Sequence, residues 1–140
     1  MATPHAPVTQ HTSAAYGGDV TVRDEALTSA LLASGVVAGV GYPAIMLAAG
    51  ALREGYRALH QPGSMLNLGP GGWVQIANFV VTGLLMIACA GGLRRALRSG
   101  RGATWAPLLI ATYGVGLAAA GVFSPDPSYG YPPGAPLGPA

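Results

Sequence analysis

Three polar side chains, Gln75, Asn78 and Thr82, stand in an otherwise apolar stretch of the sequence and are its first candidates for a binding site. On a helix with about 100° between successive residues they fall within about 60° of one another, and Cys89 continues the same face. Such a face can line a path for a ligand or ion. It can also form hydrogen bonds to neighbouring helices, worth roughly 0.6 kcal/mol per contact. We favour the structural interpretation and keep the binding one as its alternative.

The other candidates for chemistry lie outside this face. Tyr42 stands beside Pro43, His60 lies in a polar loop, and Asp126 lies between two prolines. Tyr42 is expected to pack with its hydroxyl on a carbonyl group, and a ligand-binding role is the alternative. A catalytic use of His60 and Asp126 requires them to lie within about 3 Å of each other or of a common water molecule. The sequence contains no HExxH, cysteine pair, GxSxG or P-loop, so it predicts no catalytic residue, metal site or cofactor.

The composition indicates which environment surrounds these residues. Hydrophobic residues make up 51% of the chain and charged residues only 9%, whereas soluble domains are roughly 25% charged. Too few charges remain to cover a soluble surface, which predicts an integral membrane protein in contact with the lipid bilayer. The net charge of +2 is small, and no basic stretch is interleaved with aromatic residues, so a nucleic-acid partner is not expected.

Three charge-free stretches must position the polar residues. About 20 apolar residues suffice to cross the hydrocarbon core, and one central arginine would cost roughly 2.5–3.5 kcal/mol. The predicted fold class is therefore all-α, a transmembrane bundle of about three helices with disordered tails. The expected organisation is a flexible N-terminal tail over 1–25, a transmembrane domain over 26–123 with helices at about 26–52, 73–93 and 104–123, and a Pro/Gly-rich tail over 124–140.

The distribution of arginine predicts the orientation of these helices. The loop over 94–103 carries four arginines, and the loop over 53–72 carries two. Loops rich in Arg and Lys stay in the cytoplasm. We therefore expect a multi-pass protein of the cell membrane whose N-terminus and 94–103 loop are cytoplasmic and whose C-terminus is extracytoplasmic.

Glycines predict where helices approach one another closely. Gly35 and Gly39 have the GxxxG spacing that lets helix backbones meet. In the third helix, Gly116 lies on one side and Gly114 and Gly121 lie on another. Small residues on two sides suggest neighbours on both, which favours a homo-oligomer or association with another membrane protein.

Two longer segments carry a family resemblance. The stretch LNLGPGGWVQIANFVVTGLLMIACAGGLRRAL at 66–97 has a glycine-rich turn and tryptophan, then Gln75 and Asn78, then Gly-Leu-Arg-Arg; GVFSPDPSYGYPPG follows at 121–134. Together they resemble the bacterial and archaeal membrane family of domain of unknown function 998 (DUF998), over roughly 27–136. The resemblance implies a bundle that normally has about six spans, of which this chain corresponds to the N-terminal half. It also implies that a site between the two halves would be incomplete here, and it brings no established activity.

Three classes of function follow from these observations. The leading hypothesis is a non-enzymatic helical bundle that packs against copies of itself or other membrane proteins. The second is a transporter or binder of a small molecule or ion, with a site formed by Gln75, Asn78, Thr82, Tyr42, His60 and Asp126. The third is a membrane-embedded enzyme that acts on a lipid through His60 and Asp126.

Overall fold

The protein consists of three long helices in the computed structural model, which describes residues 11–138 and their side chains from residue 21 onward. The helices are α1 (His11–Ala51), α2 (Gly72–Ala96) and α3 (Arg101–Val122), and a short 3-10 helix covers Gly63–Asn67. No described residue belongs to a β-strand. All three helices contain a segment long and apolar enough to cross a membrane, which in α1 is Thr21–Ala51. The predicted all-α fold with three spans is confirmed.

The first helix begins earlier than the sequence suggested. We expected it to start near residue 26, but α1 extends back to His11, so that residues 11–25 of the predicted flexible tail are helical and residues 1–10 lie outside the described part. One charged side chain of this segment, that of Asp24, has a partner on α2. Arg95 on α2 forms an ion pair of 2.9 Å with Asp24, and the Thr28 hydroxyl donates to the Asp24 carbonyl at 2.8 Å.

The second helix lies between the other two. α2 packs against both α1 and α3, whereas within the described residues no Cα atom of α1 lies within 8 Å of one in α3. Glycine allows the close contact with α3, since a Cβ atom at Gly83 would stand 2.5 Å from the Gly114 carbonyl oxygen. The three helices therefore form an open layer in which α1 and α3 flank α2.

The tryptophans mark the two ends of this layer. Trp73, at the start of α2, is 71% exposed, and Trp105, in the first turns of α3, is 60% exposed. Because α2 and α3 run in opposite directions, these side chains lie at opposite ends of the bundle. Tryptophan is enriched at both membrane–water interfaces, so the two positions fit the two surfaces of a bilayer.

The C-terminal segment packs on the loop between α1 and α2, in a unit that we call the cap (residues 52–71 and 123–138). Residues 124–138, expected as a disordered tail, form no helix or strand but pack against this loop. Tyr131 is only 3% exposed, meets the ring of Tyr56 edge-on at 5.8 Å, and accepts a hydrogen bond from Arg53 at 3.1 Å. Gln61 donates to the Tyr129 carbonyl at 3.0 Å. Prolines and glycines exclude regular structure here, but the buried ring of Tyr131 and the two hydrogen bonds dock the segment.

Candidate functional site

The polar face of α2 connects that helix to α1. Gln75 has no exposed surface, and Asn78 is 5% exposed. The Asn78 side-chain amide donates to the Tyr42 carbonyl at 3.1 Å and to the Gln75 side-chain oxygen at 3.4 Å. The Gln75 Nε2 has no hydrogen-bond partner among the described residues. One of these two hydrogen bonds therefore joins α2 to α1, which fits the structural interpretation, and the other stays within α2.

The face continues toward the other end of α2 with smaller contacts. Thr82 is 6% exposed. Cys89 lies against α1, where its Sγ is 3.9 Å from the Leu32 carbonyl oxygen. A Cβ atom at Gly35 would stand 2.5 Å from that sulfur, so the absence of a side chain at Gly35 makes room for the thiol.

Two depressions flank the contact between α1 and α2. The first, of about 310 Å³, is a groove between these helices, lined by Tyr42, Asn78 and Thr82 together with apolar side chains. The second, of about 290 Å³, lies over α2 between α1 and α3, and we call it the α1–α3 cleft. Its lining consists of Ala38, Gly39, Tyr42, Pro43, Thr82, Met86 and Tyr113. Tyr42 and Thr82 therefore belong to both depressions.

Proline leaves one backbone carbonyl without its helical donor in each outer helix. Pro43 lies inside α1 and Pro107 inside α3, and proline has no N–H to donate to the carbonyl four residues earlier. In α3 that carbonyl belongs to Ala103, and Arg94 donates to it at 3.0 Å. In α1 it belongs to Gly39, to which no described side chain donates. The two equivalent positions differ in whether a neighbouring helix replaces the lost donor.

His60 and Asp126 both lie in the cap, away from the polar face of α2. Both are exposed, and within the described residues neither forms an ion pair or hydrogen bond with the other. The Asp126 carbonyl accepts from the Ser128 hydroxyl at 3.3 Å. The structure does not bring them to the two depressions, so the six candidate residues do not converge on one site. The described part of the chain also holds no cluster of three potential metal ligands.

The five glycines chosen for helix packing fall into two groups. A Cβ atom at Gly35, Gly114 or Gly121 would meet a neighbouring helix within about 3 Å. A Cβ atom at Gly39 or Gly116 would have no described atom within 4 Å, apart from atoms of its own helical turns. The first group packs inside the chain, and the second faces outward.

Sequence reasoning missed two polar side chains. Asn67 is 7% exposed and donates to the Ala120 carbonyl at 3.1 Å, which joins the cap to the end of α3. Its own oxygen has no partner among the described residues. Nothing in the spacing around Asn67 signals this role. The contact of Arg94 could have been found, because Pro107 specifies which carbonyl loses its donor.

The matching family profile is the one described as Protein of unknown function (DUF998), and it covers residues 36–138. This chain belongs to that family. The DUF998 match begins within α1 and includes α2, α3 and the C-terminal part of the cap. The docked C-terminal segment is therefore part of the DUF998 domain. Neither the curated proteins nor the solved structures gave a match to this chain.

Proposed function

We propose that this DUF998 protein is a non-enzymatic membrane protein whose task is association: it packs against a second copy of itself through the outer edge of α3. The hydrogen bonds of the buried polar side chains support this view. Asn78 donates to a carbonyl of α1, and Asn67 donates to a carbonyl of α3. In a membrane such contacts hold helices together rather than expose reactive groups.

The observation that carries the proposal is the contrast between the two edges of α3. On one edge, Gly114 lets the backbone of α3 meet that of α2 directly, and a Cβ atom there would stand 2.6 Å from the Gly83 carbonyl oxygen. On the other edge, Gly116 presents the same small surface to open space. Small residues let helices approach closely and gain van der Waals contact where lipid gives no hydrophobic driving force. The outer edge therefore has the shape that the inner edge uses for a helix.

Oligomeric state tests this proposal. We expect dimers or larger assemblies of the full chain in native mass spectrometry from a mild detergent, and loss of these assemblies in Gly116→Leu. Gly91→Leu is the matched control, because Gly91 is also an exposed helical glycine with open space around it but lies on α2. A wild-type protein that is strictly monomeric, or an equal effect of both substitutions, would contradict the proposal.

We also propose an orientation. The four arginines of the 94–103 loop support a cytoplasmic location for the short connection between α2 and α3. The cap then lies on the extracytoplasmic side of the cell membrane, and the N-terminus lies in the cytoplasm. The long α1 carries its charged residues 23–25 at the same end as Arg95, as the ion pair with Asp24 requires.

A further inference from the structure

A depression with charges of both signs lies where α1 and α2 leave the apolar part of the bundle, and we call it the end pocket. Its volume is about 620 Å³, within the roughly 300–1,000 Å³ of small-molecule sites. Its lining consists of Asp24, Glu25, Thr28 and Ser29 on α1 and of Arg95, Ala96 and Arg98 at the end of α2. The charge-free stretch of α1 begins at Ala26, and that of α2 ends at Leu93. The end pocket therefore lies at the level of the lipid headgroups, just outside the hydrocarbon core.

Two opposite charges in the end pocket have no partner on the protein. Asp24 and Arg95 form the ion pair of 2.9 Å, and the Thr28 hydroxyl also accepts from Arg95 at 3.2 Å. Glu25 and Arg98 are exposed, and within the described residues their side chains form no hydrogen bond or ion pair. The pocket thus offers one carboxylate and one guanidinium beside an ion pair that is already made.

These two charges indicate a ligand that carries both signs. A guanidinium donates to phosphate oxygens, often through two parallel hydrogen bonds, and a carboxylate accepts from an ammonium group. A purely anionic headgroup would bring a like charge to Glu25, and a purely cationic one would bring a like charge to Arg98. At this level of the bilayer, a zwitterionic phospholipid supplies a phosphate and an ammonium group on one molecule.

The lining of the end pocket also discriminates between zwitterionic headgroups. Proteins recognise the quaternary ammonium of choline with the faces of aromatic rings, and no aromatic side chain lines this pocket. A primary ammonium instead has three N–H donors, as in lysine. The Glu25 carboxylate and the Ser29 hydroxyl are acceptors for them. The pocket therefore fits ethanolamine better than choline.

We propose that the end pocket binds the phosphoethanolamine headgroup of a phospholipid, with the phosphate on Arg98 and the ammonium on Glu25. The acyl chains then lie along the charge-free parts of α1 and α2. The inference requires that both helices span the membrane. It is independent of the proposed self-association, which uses the outer edge of α3.

Lipids that differ only in the headgroup test the proposal. The full chain in a mild detergent receives equal amounts of dioleoyl phosphatidylethanolamine, phosphatidylcholine and phosphatidylglycerol, and native mass spectrometry counts the lipids retained. One exposed charge pair changes affinity by at most about fivefold, so phosphatidylethanolamine should be retained up to about fivefold more than either of the others. Equal retention, or a preference for another headgroup, would overturn the proposal. Free phosphoethanolamine at the same concentration should not displace the lipid, and displacement would overturn the assignment to a phospholipid.

Variants that remove one charge test each contact. Glu25→Gln should abolish the preference for phosphatidylethanolamine over phosphatidylglycerol, and Arg98→Gln should lower the retention of both by up to about fivefold. Glu54→Gln and Arg57→Gln are the matched controls, because these residues are exposed but lie in the cap at the other end of the bundle. A variant of the end pocket that behaves like its control refutes the role of that residue. Gly116→Leu should keep the lipid preference of the wild type, which separates failure of this pocket from failure of self-association.

Discussion

Replacing Gly83 by alanine should weaken the packing of α2 on α3. The new Cβ atom would stand 2.5 Å from the Gly114 carbonyl oxygen and 2.8 Å from the Ala118 backbone nitrogen. Both atoms belong to a helix backbone, so no side chain can rotate away to make room. An ordinary contact needs at least 3.4 Å, and α3 must therefore move away from α2 by about 0.9 Å at this point.

The size of the effect follows from this forced separation. Overpacking of a closely packed contact typically costs about 1–3 kcal/mol. Alanine also gains roughly 0.5–1 kcal/mol over glycine inside a helix, which acts in the opposite direction. Gly91→Ala in the same helix has the same gain without the clash. No described atom outside its own helical turn lies within 4 Å of the Cβ position at Gly91. The difference between the two variants therefore isolates the steric cost of about 1–3 kcal/mol.

The assay is reversible unfolding by SDS in mixed micelles, followed by circular dichroism. We expect Gly83→Ala to have the lower free energy of unfolding and Gly91→Ala to equal or exceed the wild type. Two variants that agree within about 0.5 kcal/mol, the usual range for substitutions at unconstrained positions, would refute the direct backbone contact between α2 and α3.

Two further predictions concern the ends of the bundle. Burial, and to a lesser extent Tyr131, raises the pKa of Tyr56 in the cap above its ordinary value of 10.0. The neutral Tyr56 side chain therefore contributes its full stability below pH 10.0, and this contribution is lost as the pH rises through the raised pKa. The ultraviolet pH titration of the wild type minus that of Tyr56→Phe reports the ionisation of Tyr56 alone. A titration midpoint of Tyr56 at or below its ordinary pKa would contradict this prediction. At the other end, Asp24→Asn should lower the free energy of unfolding by at most about 1 kcal/mol, because the side chains of Arg95 and Asp24 remain 41% and 66% exposed. A loss of several kcal/mol in the SDS titration would show that the ion pair is more than a surface contact.

The spans could be predicted from sequence because the absence of charge over about 20 residues has one dominant physical explanation. The start of α1 could not, since charge marks where a helix leaves the hydrocarbon core and not where the helix ends. Asp24 is exposed and still belongs to α1, where it forms an ion pair with Arg95.

The cap was missed for a different reason. Proline and glycine exclude regular secondary structure from 124–138. A segment without regular secondary structure can still pack against the rest of the chain, so this composition does not predict its tertiary contacts. The contacts that dock this segment join residues far apart in sequence, such as Gln61 to Tyr129 and Arg53 to Tyr131. No local pattern encodes such pairs.

The polar contacts of α2 could be foreseen only in part. Helical spacing placed Gln75, Asn78 and Thr82 on one face, and all three are buried. Spacing could not reveal that the partner of Asn78 is a backbone carbonyl, that of Tyr42. It could have pointed to the Gly39 carbonyl, because the position of Pro43 alone specifies which carbonyl loses its donor.

The central claim is that α1, α2 and α3 each cross the membrane, which places the two ends of α3 on opposite sides. Ser99 and Ser124 are exposed residues that flank α3, and each can be replaced by cysteine in a Cys89→Ser background. We predict that a membrane-impermeant maleimide labels Ser124→Cys on intact cells and labels Ser99→Cys only after permeabilisation. Labelling of both positions from the same side would contradict the account, because α3 would then not span the bilayer.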